Sequence, residues 1–298
     1  MKKQDLSVTA LYTSATWSWG ELPNASLLDH PHARGVFQIV NAVLALTAPL
    51  FGKLAPLRVG LLHRHAMIDA LVRAAGTKRV LELAAGLSRR GVTFSVDPAV
   101  EYIEIDAAHV IATKKTLLER TASGQSVLGR PNLRFLAADV TTSSIEEMAP
   151  PDGAPLLVVA EGLLMYLDAG KQRALFRDVA TRLGDAGGTF VFDLVPPCEQ
   201  PAPGLVGRVL DWLMKRFTGG QSFIRDGRTR DDVAADLRAA GFEDVAMIEP
   251  PDVAIDWALP YPRARTQQLV FVARVAPLLA LPPRSSPPPR TLAPVAAS

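Results

Sequence analysis

From residue 79 onward, short apolar runs of strand length alternate with amphipathic stretches of helix length. The runs fall at 80–83, 102–105, 133–137, 156–160 and 189–194, and two further ones at 245–249 and 268–274. Between them Val110, Ile111, Thr113, Leu117 and Leu118 fit one helix face, and Leu175, Phe176, Val179 and Leu183 fit another. Near-continuous apolar strands alternating with helices predict a parallel sheet buried on both faces. Right-handed crossovers then make it doubly wound. The expected fold is therefore α/β, a seven-stranded, mostly parallel sheet with an N-terminal helical cap.

Ahead of the first strand, a helix is expected over 61–75, closed by Gly76, and a buried cap helix over 34–48. Pro49, Lys53, Pro56 and Arg58 interrupt the apolar stretch 36–62, leaving no clean span of about 20 apolar residues. Late in the chain, Thr229 is placed to cap a helix over 230–240 that ends at Gly241. A second helical stripe, Leu205 to Phe217, lies in a lid-like insert at 196–228, where packing against the domain is the simpler role. The Pro-, Ser- and Ala-rich end suggests a disordered tail at 277–298. The domain reading is a cap at 1–60, a catalytic domain at 61–276 and the tail.

Composition narrows the function. Lys and Arg total 32 against 30 Asp and Glu, a formal charge of +2, with no basic block of the kind a nucleic-acid surface needs. Cys198 is the one cysteine, which excludes an intramolecular disulfide and any multi-cysteine metal site. The start of the chain lacks the apolar run of a secretory signal, so a cytoplasmic location is expected.

In an open α/β sheet, ligands bind beyond the carboxyl ends of the strands, where strand order reverses. The residues there are small or acidic: Ala84-Ala85-Gly86 after the first strand, Asp106 after the second, Asp139 after the third and Glu161 after the fourth, with Glu82 just inside the first. Small residues let a ligand approach the backbone. Asp106 follows Gly86 at a spacing that suits a carboxylate bonding a ribose. Asp139 is placed to accept from an adenine amino group, with the Val140 N–H beside it, and Glu161 faces the charged end of the ligand. Taken singly, Asp106 or Asp139 has a helix N-cap as its alternative role, but acids at four successive strand ends together favour a nucleoside site.

A dinucleotide needs a phosphate cradle opening a full helix. The loop LAAGLSRRG at 83–91 has only Gly86 and Gly91, and Pro98 leaves little room for a long helix. Its acid lining suits S-adenosylmethionine, which carries a cationic sulfonium and an α-amino group but no phosphate. Two other readings stay open: a nicotinamide-dependent oxidoreductase and a binding-only protein for the same methyl donor. As general bases for a hydroxyl acceptor, His30, His32, His63, His65 and His109 are the candidates, and no second residue singles one out.

The strings VLELAAGLSRRG (80–91), YIEIDAAHVIATKKTLL (102–118), FLAADV (135–140) and VVAEGLLMYL (158–167) resemble the leucine carboxyl methyltransferase family, including its bacterial polyketide-synthesis O-methyltransferase branch. The resemblance implies that Ala84 to Gly86 hold the methionine portion of the donor. It gives Asp106 the ribose, Asp139 and Val140 the adenine, and Glu161 the sulfonium end. It also implies an arginine ahead of the first strand against the donor's carboxylate, matched by Arg64, with Tyr166 lining the same pocket. The family's first loop often carries more glycine than this one. The acceptor is expected to be a small molecule, and no metal is expected.

Overall fold

The computed structural model of the chain describes residues 6–47, 56–184, 186–199, 227–253, 260 and 266–276. Most of the lid-like insert, including the stripe Leu205 to Phe217, and all of the tail at 277–298 lie outside them. Two helices form the cap: α1 (Val8–Trp19), which begins where the Ser7 side chain accepts from Ala10 N at 3.1 Å, and α2 (Ala33–Thr47). The long α3 (Leu57–Ala75) follows, so the expected boundary at 60/61 falls inside a helix.

The sheet then builds up as β1 (Arg79–Leu83), α4 (Arg90–Phe94), β2 (Glu101–Asp106), α5 (Ala108–Glu119), α6 (Ala122–Leu128), β3 (Leu133–Ala137), α7 (Ile145–Met148), β4 (Leu156–Ala160), α8 (Ala169–Leu183), β5 (Gly188–Asp193), α9 (Arg230–Ala240), β6 (Asp244–Ile248) and β7 (Val270–Val275). All seven expected strands are present, in the order β3-β2-β1-β4-β5-β7-β6. The first five are parallel, and β7 runs antiparallel to both β5 and β6. The reversal lies between β1 and β4, each leaving the sheet to open a loop on the same edge.

Alternation along the strands divides the core in two, since successive side chains point to opposite faces. Leu81, Leu83, Leu156, Val158, Phe190 and Phe192 bury one face under α7, α8 and α9. Val80, Tyr102, Leu157, Val159 and Val191 bury the other, under α3, α5 and α6. Both helix stops fit the sequence: Gly76 (φ 61°) and Gly241 (φ 112°) take the left-handed conformation that glycine adopts without steric cost. Thr229 caps α9 as expected, within a capping box completed by Asp232.

Three expectations are corrected. The helix expected from residue 61 starts at Leu57, because Pro56 just outside it pre-sets the chain for a helical entry. On α5 the position in the apolar stripe belongs to Lys114, wholly buried, rather than to Thr113. Lys114 lies three residues from both Ile111 and Leu117, so helical spacing carries its stem into the core. The cap helix expected to be buried is largely exposed: Ile39 and Leu46 on α2 are 67% and 82% accessible. One side of α2 meets the molecule, through Phe37 stacked on Tyr12 (5.5 Å between ring centres) and Asn41 bonded to Tyr12 and Arg58. No helix of the described residues is long and apolar enough to cross a membrane.

Candidate functional site

The loop after β1 turns sharply. Ala84 (φ 51°) and Gly86 (φ 53°) both lie in the left-handed region, which for an alanine costs roughly 1–2 kcal/mol. Three bonds fix the turn: Ala85 N donates to Ile105 O at 3.0 Å, Ser88 N to Ala85 O at 2.8 Å, and Gly86 N to Asp106 Oδ2 at 2.7 Å. A Cβ at Gly86 would touch nothing within 4 Å, so open space lies over the backbone there.

Asp106 is not an N-cap. The residue flanking α5 is Ala107, and Asp106 Oδ1 accepts from its N–H at 2.7 Å while Oδ2 holds Gly86. Burial raises its pKa above the ordinary carboxylate value, against the two backbone donors that lower it. On the neighbouring strand, Asp139 is exposed and Oδ1 accepts from Thr141 N (2.9 Å) and Thr141 Oγ1 (2.7 Å), closing a local turn that holds its pKa down. Val140 beside it packs partly against the core. Asp106 and Asp139 therefore stand on adjacent strand ends, with Ala138 N bonded to Asp106 O at 3.0 Å.

On the other side of the reversal lies a buried charge web. Arg64, from α3, donates Nε to Glu161 Oε1 and Nη1 to Asp193 Oδ2, both at 3.0 Å. No bond to its Nη2 is present among the described residues, and a Cβ at Gly162 (φ 70°) would lie 3.4 Å from that atom. Arg90, fully buried at the start of α4, reaches Asp69 Oδ1 (2.7 Å), Glu82 Oε1 and Glu161 Oε2 (2.6 Å), and Arg89 completes the pairing with Asp69. Asp193 also accepts from Gly162 N at 2.5 Å through Oδ1.

Four carboxylates (Asp69, Glu82, Glu161, Asp193) thus face three guanidiniums (Arg64, Arg89, Arg90). Burial works against the charge on Glu161, but His65, Arg64 and Arg90 hold its carboxyl well below the usual range. Burial pushes Asp193 up instead, with Arg64 opposing and Glu161 reinforcing. An ionised carboxylate only accepts, so His65 Nδ1, 2.7 Å from Glu161 Oε2, carries the proton. Burial lowers the pKa of His65, leaving it neutral with Nε2 unbonded under the Trp17 ring of α1, 4.4 Å between ring centres.

The sequence-predicted residues therefore separate into two groups. Ala84, Gly86 and Asp106 form one unit, with Asp139 and Val140 on the next strand end, and Arg64 and Glu161 form another. Glu82 lies beneath the second unit, 1% exposed, with Oε1 on Arg90 and Oε2 accepting from Tyr102 at 2.8 Å. It therefore points into the web and not into open space. Tyr166 is half-buried and donates to Thr9 of α1 at 3.5 Å, tying the loop after β4 to the cap.

Of the five histidines, only His65 joins the web, and it sits wholly enclosed behind Glu161. No cluster of three or more metal-ligating side chains occurs among the described residues. Sequence reasoning missed Asp69, Arg89, Arg90 and Asp193. The last was within reach, since it is an acid at the end of the fifth apolar run, the same signal that singled out Asp106 and Glu161.

Comparison with known proteins follows the same lines. Residues 36–180 match the leucine carboxyl methyltransferase family. A tetracenomycin polyketide synthesis O-methyltransferase of Streptomyces glaucescens is 34% identical over 118 residues, covering 40% of this chain and 39% of that protein. A protein of Mycobacterium ulcerans (strain Agy99), provisionally named an S-adenosyl-L-methionine-dependent methyltransferase, is 33% identical over 141 residues, covering 46% and 41%. The chain thus spans about two fifths of the length of these curated relatives. In fold, it is similar to a provisionally assigned methyltransferase from Thermobifida fusca YX, with a TM-score of 0.57 at 14% identity, covering 92% of this chain and 96% of the other.

Proposed function

We propose that the chain, whose residues 36–180 match the leucine carboxyl methyltransferase family, is an S-adenosylmethionine-dependent methyltransferase that O-methylates a small-molecule carboxylate or hydroxyl. The observation that carries this reading is the bond from Gly86 N to Asp106 at 2.7 Å, with open space over the Gly86 backbone, together with a charge web that among the described residues has one more carboxylate than guanidinium. A neutral or anionic ligand would not offset that surplus. The donor's α-amino group or sulfonium would.

The residues fit the donor. Ala84 and Gly86 would carry its methionine portion along the turn, Asp106 its ribose, and Asp139 with the Val140 N–H its adenine. Arg64 Nη2, the guanidinium nitrogen left over from Glu161 and Asp193, would meet its carboxylate. Glu161 would face the cationic end, and Glu82 would act from beneath by fixing Arg90. When bound, the donor supplies an electrophilic methyl group on a positively charged sulfur. The protein's part is to align the acceptor oxygen behind that methyl and to exclude water. Oxygen gains the methyl as the carbon–sulfur bond breaks, and the electron pair stays on sulfur. A carboxylate acceptor needs no proton transfer. A hydroxyl acceptor would need one, and no base is assigned here.

A nicotinamide dinucleotide finds no support in this geometry. The helix after the first loop has five residues, and its opening is filled by Arg89 and Arg90 turned inward to Asp69. We read α1 and α2 as the cap and the catalytic domain as running from α3 to residue 276, with a small-molecule acceptor, no nucleic acid as partner in keeping with the formal charge of +2, no membrane span, and a cytoplasmic setting.

Titration calorimetry with S-adenosylhomocysteine and with NAD tests the ligand class directly. Binding of the first and not of the second is expected, and the reverse would end the methyl-donor reading. Transfer of a labelled methyl group to candidate acceptors then separates an enzyme from a binding-only protein. Gly86→Ala should fold, with a stability loss of about 1 kcal/mol from the left-handed backbone. It should bind S-adenosylhomocysteine at least tenfold more weakly, because its methyl enters the space over the turn. Unchanged affinity would move the ligand elsewhere.

A further inference from the structure

Beneath the loop after β1 lies a buried ion pair to which the proposed chemistry gives no role. Lys114 of α5 and Glu104 of β2 are both 0% exposed and pair with each other. Lys114 Nζ also donates to the Ser88 carbonyl at 2.5 Å, inside the loop that runs from Gly86 to Arg89. Neither Glu104 oxygen has a hydrogen bond among the described residues, so the ion pair with Lys114 is what compensates its charge. At Gly91, the second residue of α4, the Glu104 carboxylate fills the space that a Cβ would need. One buried pair thus meets the loop at Ser88 and the helix that follows it at Gly91.

We propose that Lys114 and Glu104 are a positioning pair for the methyl donor: Lys114 clamps the Ser88 carbonyl at the base of the donor loop, and the Glu104 carboxylate keeps that clamp engaged while it is ionised. The inference rests on the reading of this loop as the donor site. Neither residue touches the space over Gly86, so both act through the loop backbone. The physical reason for the coupling is the cost of an unpaired buried cation. Once Glu104 is protonated, Lys114 lacks its counter-charge, and conformations that withdraw the ammonium toward water, away from Ser88, gain population.

The groups facing Glu104 are Lys114 from α5, Glu82 from β1, Arg90 from α4 and Tyr102 from its own strand. Burial raises its carboxyl to about 7, with Lys114 opposing and Glu82 reinforcing. Switching therefore falls near neutral pH, and its signs are distinctive. A carboxyl raised in the folded state favours global stability below its ordinary range and loses that contribution as pH rises through about 7. The clamp runs the other way, closed above that pH and loosened below it. A residue that only supports the fold would move both quantities together.

Two measurements on the full chain test this, each read as the difference between wild type and Glu104→Gln, which keeps the shape and removes the titration. Hydrogen exchange of the amides at 86–91, corrected for intrinsic rates, should show wild-type protection rising from pH 6 to pH 8 while global stability relative to the variant falls. Affinity for S-adenosylhomocysteine should weaken about tenfold in the wild type between pH 8 and pH 6, as the competent fraction drops to about one in eleven. The glutamine variant should stay flat. Lys114→Met should raise loop exchange at every pH and abolish the bend. If that variant does not fold, the glutamine comparison decides alone.

A bend that persists in Glu104→Gln, no bend in the wild type, or loop protection that follows global stability would each overturn the proposal. Absence of any S-adenosylhomocysteine binding by the wild type would instead remove the donor-site reading, and exchange of the loop amides would still judge the clamp.

Discussion

Arg90→Met should destabilise the chain by about 3–5 kcal/mol, a large share of the roughly 5–15 kcal/mol that holds an ordinary domain folded. Every guanidinium nitrogen of Arg90 is engaged: Nε by Asp69, Nη1 by Glu82, and Nη2 by Glu161 with His65 alongside. Its removal leaves Glu82 with no cation in a dry interior and takes one of two guanidiniums from both Asp69 and Glu161, and uncompensated buried charge is far more costly than the loss of the pair itself. Methionine restores the volume, so cavity formation contributes little and the effect reports the charge. Denaturant unfolding at neutral pH measures it, with partial recovery expected at acid pH as the stranded carboxylates take up protons. A loss below about 1 kcal/mol would mean that water already reaches this web.

Asp106→Ala should cost binding instead of folding. Its carboxylate sits at the rim, pinning Gly86 N and Ala107 N, and a ribose would be gripped by the remaining lone pairs of both oxygens. Charged hydrogen bonds of this kind contribute about 1.5–3 kcal/mol each. Loss of the ribose contacts, with a loosened loop, should weaken S-adenosylhomocysteine binding on the order of 100-fold. The melting temperature should shift by only a few degrees. Asp106→Asn keeps one acceptor oxygen and should fall between. Equal affinity in all three proteins by calorimetry would remove Asp106 from the site. Since burial raises the pKa of Asp106, wild-type affinity should also fall on acidification before an exposed aspartate would titrate.

Much of the sheet was legible in the chain because burial on both faces writes strands as unbroken apolar runs. Leu133–Ala137 and Leu156–Ala160 appear at the predicted residues, and the others shift by a residue or two. The rim acids were legible for a related reason, as charge immediately after an apolar run has few places to go but the strand end. What remained hidden depends on contacts distant in sequence. Nothing local distinguishes Asp69 and Arg90 from solvated helix residues until the fold brings α3 and α4 together and sets the two side chains 2.7 Å apart. Lys114 was passed over because a lysine in an apolar stripe reads as exposed, and only Glu104 from another strand makes its burial tolerable. The reading of α2 failed for the converse reason: apolar content predicts a buried helix only if something covers it.

Arg64, Glu161, Arg90 and Asp69 form an unbroken relay that leaves the third helix for the reversal point of the sheet and returns to it, each gripping the next. In such a relay, no member can be exchanged alone without orphaning its neighbour. Over evolutionary time these positions are therefore expected to stay fixed or to change in concert, whereas the surrounding apolar residues drift freely. A lineage seeking new acceptors would have to vary residues outside this quartet, the least negotiable part of the molecule.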